Sequence, residues 1–111
     1  MDGNATTTQS LPAILTDRLD EIADVCREYG VRQLWVFGSA VHGTFDPETS
    51  DLDFMVDLGE YEPEIALRYS RFFTALHALF DREIDLITVR SRGSDRFMAR
   101  VIETRAMIYA A

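Results

Sequence analysis

Leu15, Leu19, Ile22, Cys26 and Tyr29 follow one another at alternating steps of four and three, which puts them on one face of an α-helix. Gly30 stands where a left-handed residue would end that helix. The period then changes. Residues 34–37 (LWVF) are a continuous apolar run that meets Gly38–Ser39 abruptly, which predicts a buried strand and a sharp turn. Residues 44–50 (TFDPETS) carry turn chemistry and predict a loop. Further strands are expected over 51–58 (DLDFMVDL) and 83–89 (EIDLITV). Between them, Ile65, Tyr69, Phe72, Leu76 and Leu79 mark the buried stripe of a helix from residue 62 to residue 80. Ser94 predicts an N-cap for a last helix bearing Phe97, Val101, Ile102 and Ile108. The expected order is α–β–short α–β–α–β–α, an α/β chain with a small sheet covered by helices.

At 111 residues the chain has room for one domain, expected over 11–111, behind a polar tail at 1–10. That tail has neither a basic nor an apolar region and does not read as a signal peptide. No apolar run approaches the roughly 20 residues that cross a bilayer, so no membrane role is expected. One cysteine, Cys26, excludes an internal disulfide and a zinc site of the Cys-cluster type. A cytoplasmic protein is the expectation.

Charge narrows the chemistry. Nineteen acids against eleven bases leave a formal net charge of −8, which argues against direct binding to nucleic acid. All eleven bases are arginine. Without lysine there is no Walker-A loop, no kinase strand lysine, and no Schiff-base or Ser–Lys mechanism.

Three features carry candidate chemistry. Gly38–Ser39 ends a predicted buried strand, where glycine lets a ligand approach the backbone and the following amides can face an anion. Asp51 and Asp53 flank Leu52 on a predicted strand, so both carboxylates project from one face while Leu52 points to the core. Such a pair repels itself unless a hard cation lies between, and Mg²⁺ prefers carboxylate oxygen. Asp85 interrupts an apolar strand, either on the solvent face or aimed at the site. Asp57 shares the parity of Asp53, but four residues on, roughly 13 Å along a strand, it reads as surface charge.

The stretch GSAVHGTFDPETSDLDF, with the later EIDLIT, resembles the DNA polymerase β-like nucleotidyltransferases. It is most similar to the minimal MNT-type members found beside HEPN proteins in prokaryotic toxin–antitoxin pairs. Gly38, Ser39, Asp51, Asp53 and Asp85 match the Gly-Ser, Asp-x-Asp and third-acid elements in order. The spacer at 40–50 is eleven residues, one more than the commonest minimal form, and His42 stands where arginine is frequent.

The resemblance implies a polymerase β-like palm with a small mixed sheet. It implies two Mg²⁺ ions on Asp51, Asp53 and Asp85, with Gly38 and Ser39 on the phosphates of ATP. It further implies transfer of AMP to a tyrosine of a HEPN toxin, within a hetero-oligomer. Two other readings stand beside it: an antitoxin that neutralises by binding alone, and nucleotidyl transfer to a small molecule. Arg90, Arg92 and Arg96 are candidate phosphate contacts. His77, Cys26, Phe72, Phe73 and Phe80 read as core rather than site.

Overall fold

The computed structural model describes residues 11–90 and 95–111. The predicted tail at 1–10, the cap at Ser94 and Arg92 lie outside the described residues. The elements are α1 (Ala13–Thr16), α2 (Leu19–Glu28), β1 (Gln33–Phe37), α3 (Ser39–His42) and β2 (Leu52–Asp57). They continue with α4 (Ile65–Ala78), β3 (Ile84–Thr88), α5 (Asp95–Thr104) and β4 (Ala106–Ala110).

The four strands form one mixed sheet in the order β3-β2-β1-β4. β1 runs antiparallel to both β2 and β4, while β2 and β3 are parallel and joined through α4. A parallel pair needs such a crossover, and α4 supplies it while covering one face of the sheet. On that face Leu34, Val36, Leu52, Phe54 and Val56 pack against Leu15, Ile22 and Cys26 from the first helices and Phe72 and Leu76 from α4. The opposite face carries a smaller cluster of Trp35, Phe37 and Met55 beneath Val101 of α5. Successive strand residues alternate between the two faces, and this alternation assigns the acids below.

Two boundaries differ from expectation, and one agrees. The first predicted helix is broken, because Arg18 (φ −122°, ψ 17°) leaves the helical region between α1 and α2. Gly30 ends α2 as its position predicted: at φ 69° its amide bonds Arg27 O, and the amide of Val31 bonds Cys26 O at 2.9 Å. That pair of bonds is the Schellman arrangement.

The last helix stops at Thr104, not beyond Ile108. Residues 106–110 (AMIYA) are instead a fourth strand, with Met107 opposite Trp35 and Tyr109 opposite Leu34. Ile108 and Tyr109 are of the branched and aromatic types that suit a pleated surface, and β1 offered them an unpaired edge. An amphipathic stripe read along the chain does not register a partner some 70 residues away.

Candidate active site

β1 and β2 pair so that Phe37 faces Asp53, and β2 and β3 pair so that Asp53 faces Asp85. The three residues form one row across the sheet. Asp53 and Asp85 lie on the face opposite the main core, because Leu52, Phe54, Ile84 and Leu86 on either side of them point into it. Asp51 precedes the first residue of β2 and is exposed, Asp53 is half-buried, and Asp85 is exposed.

Burial raises the Asp53 carboxyl most, followed by the charge of Asp85, a hydrogen bond to Asp85 and the charge of Asp51; together they carry it from 3.8 to about 6. Two carboxyls set side by side on a rigid ladder form a site short of positive charge. Among the described residues, no group of three or more His, Cys, Asp or Glu side chains converges closely enough to hold a metal ion. The tight unit is the Asp53–Asp85 pair, with Asp51 at its mouth. That donor set fits a Mg²⁺ site of the open kind, in which one or two carboxylates are completed by water and substrate phosphates.

Gly38 explains how β1 approaches this pair. Its φ of 77° and ψ of −143° fall where only glycine is comfortable. A Cβ there would overlap the Asp53 carboxylate oxygen and lie 3.3 Å from Asp53 Cγ. The turn therefore passes directly over the acid, and α3 starts at Ser39. Val41 and His42 both return their amides to Gly38 O, at 3.0 and 3.1 Å, which winds the turn tightly. The structure thus brings Gly38, Asp53 and Asp85 together, with Asp51 close by and Ser39 adjoining.

Other candidates fall elsewhere. Arg90 lies beyond the far end of β3, five residues from Asp85, where it lines a cleft of about 380 Å³ with Tyr61, Ile65 and Tyr69. That cleft is mostly apolar and lies at the opposite end of the strands from the acid pair. Arg96 is exposed on the first turn of α5, and His42 is exposed at the end of α3. His77 stacks on Phe73 with ring centroids 5.9 Å apart. Cys26 is fully buried, and burial pushes its thiol up to about 12. Phe72 and Phe80 are core. Asp57 is no free surface charge: its Oδ1 accepts the Gly59 amide at 2.8 Å and shapes the turn after β2.

The parts that two residues play in holding the site's backbone escaped the sequence reading. The Tyr69 hydroxyl, on the expected helical stripe, donates to the carbonyl of Leu86, immediately after Asp85. Burial and then the charge of Asp85 raise its phenol above the usual range. Arg82 holds the loop that leads into Asp51. An arginine two residues ahead of an apolar strand was the available signal, but its partners lie more than 30 residues back.

The chain belongs to the nucleotidyltransferase domain family, which it matches over residues 19–109. Its build is that of a minimal, MNT-type member, a transferase of the nucleotidyltransferase class. It is similar to a protein assigned as a minimal nucleotidyltransferase, at 27% identity and TM-score 0.67, over 82% of this chain and 89% of that one. A toxin–antitoxin structure with AMP-PNP shares the fold at 21% identity and TM-score 0.63, over 84% and 73% of the two chains. So does a complex of tri-AMPylated Shewanella oneidensis HEPN toxin with MNT antitoxin, at 19% identity and TM-score 0.54, over 86% and 72%. No curated protein sequence matches the chain significantly.

Proposed function

We propose that this chain moves AMP from ATP, with Mg²⁺, onto a tyrosine hydroxyl of a HEPN-type toxin, and acts as the antitoxin of that pair in the cytoplasm. The observation that carries the reading is the Asp53–Asp85 pair beneath Gly38, two carboxyls in contact on a rigid sheet where the backbone is bare enough for phosphates to approach. Asp51, Asp53 and Asp85 would hold Mg²⁺, two ions by the resemblance, and bound metal would supply positive charge to the triphosphate. Among the described residues no helix is long and apolar enough to cross a membrane.

The residues then take distinct parts. The absence of a Cβ at Gly38 admits the triphosphate to the backbone, and the Ser39 hydroxyl donates to a phosphate oxygen. Asp53 fixes the position of the pair because it is the half-buried member. Asp85 is exposed, within reach of an acceptor, and would receive the proton of the attacking hydroxyl. The acceptor oxygen bonds to the α-phosphorus, the bond to the β-phosphate breaks, and pyrophosphate leaves. The acceptor comes from a second protein. Support for that comes from the family fold and from relatives solved as toxin–antitoxin complexes, one with an AMPylated HEPN toxin. The net charge of −8 suits a basic partner.

The test is intact-mass spectrometry of a HEPN partner after incubation with this chain and Mg·ATP. Added AMP mapped to tyrosine, absent with Asp53→Asn, supports the reading. A partner that is fully neutralised yet unmodified refutes it and leaves binding alone as the antitoxin mechanism.

A further inference from the structure

Asp51 lies outside the ladder, since β2 starts at Leu52, and the loop before it is long. Its position therefore depends on whatever holds its two neighbours. On one side the Leu52 amide bonds Glu83 O at 3.3 Å. On the other, Nη1 of Arg82 donates to Ser50 O at 3.0 Å, and Nη2 donates to Pro47 O. The guanidinium also lies 5.1 Å from the centroid of the Phe45 ring. Within the loop the Asp46 amide bonds Ser50 Oγ and the Glu48 amide bonds Asp46 Oδ1, both at 2.9 Å, so the clamped segment is itself ordered. Residues 82 and 83 thus grip both neighbours of Asp51, and β3, which starts at the next residue, carries Asp85.

We propose that Arg82 is a positioning residue for the metal site: its forked guanidinium staples the loop at Pro47 and Ser50 and so sets Asp51 against the Asp53–Asp85 pair. The link to metal rests on the proposed function above, whereas the staple itself does not. The geometry asks for a planar fork. Two carbonyls three residues apart are reached by two nitrogens of one guanidinium, whereas a lysine ammonium is a single point on a flexible stem. The Nε of Arg82 is buried and makes no hydrogen bond, so the side chain is placed for its two outer nitrogens. Among the described residues it makes no salt bridge within 4.0 Å, although its charge reaches the Asp46 carboxylate in the same loop.

The test compares Arg82→Lys and Arg82→Met with the parent in the full chain, by amide exchange, thermal melting and titration with Mn·ATP. In both variants the amides at 48–51 should exchange about tenfold faster, the core amides at 54–56 should not change, and Mn·ATP should bind about tenfold more weakly. Arg82→Lys matching the parent would mean that charge alone suffices, which overturns the proposal. Unchanged loop exchange overturns it too. So does faster exchange spread through 54–56 with a lower melting temperature, which would make Arg82 a general structural residue. A parent that fails to bind Mn·ATP refutes the proposed function instead, and the exchange data alone then uphold or overturn the staple.

Discussion

Asp53 and Asp85 face one another across the parallel β2–β3 ladder, and the charge of Asp85 helps raise the Asp53 carboxyl. Neither strand can relieve the contact by turning over, because Leu52 and Phe54 on one and Ile84 and Leu86 on the other are buried in the main core. A shift of one residue would place those side chains in water and the acids in the core. The hydrophobic effect therefore holds two like charges together.

Stability of the metal-free protein should follow the proton on Asp53. Its folded value of about 6 lies above the ordinary 3.8, so between those values the folded state keeps a proton that the unfolded chain has lost. The stabilisation is present below 3.8 and is lost as pH rises to about 6. For a half-exposed group the loss, discounted for solvent screening, is on the order of 1 kcal/mol. Urea unfolding of parent and Asp53→Asn across this range should show the parent falling relative to the variant. Parallel profiles would show that the Asp53 carboxyl is not raised in the folded state.

Gly38→Ala should be far more damaging than a methyl group suggests. The backbone conformation disfavours any side chain, and the new Cβ meets the Asp53 carboxylate. A loss of roughly 2–4 kcal/mol is expected, with nucleotide binding reduced further. Denaturant melts and an ATP titration check both. A variant with parental stability would mean the turn stands farther from Asp53.

Asp85→Ala should separate binding from transfer. The half-buried Asp53 and the exposed Asp51 remain, so Mg·ATP affinity should fall only severalfold while AMP transfer falls about 100-fold or more. EDTA should abolish both in the parent, with recovery on adding Mg²⁺. An equal loss of binding and turnover in Asp85→Ala would assign that carboxylate to binding alone.

Arg68 offers a contrast away from the site. Its guanidinium donates to Tyr29 O at 3.0 Å, Gly30 O at 3.2 Å and Leu58 O at 2.8 Å, and pairs with Glu62 at 3.0 Å. Arg68→Ala strands three carbonyls and should cost about 2–4 kcal/mol, while nucleotide affinity of the folded fraction stays at the parental value. Chemical denaturation and the same ATP titration decide it.

Much of this molecule could be read along the chain. Period and parity alone located α2, α4 and the first three strands, the stop at Gly30 and the turn at Gly38. Each is a local property: a helical stripe, a strand alternation and a glycine conformation need only neighbouring residues. What the tertiary structure decided is everything that depends on pairing. The strand β4 exists because β1 had an edge to fill, so its five residues took that place rather than extending α5. Asp85 could point to solvent or to the site until the register set it opposite Asp53. Arg82 carried no assignment until folding brought Pro47 and Ser50 to its two nitrogens. Long-range register and the main-chain groups left to be bonded emerge only when the sheet closes, because their energy lies in contacts between segments distant along the chain.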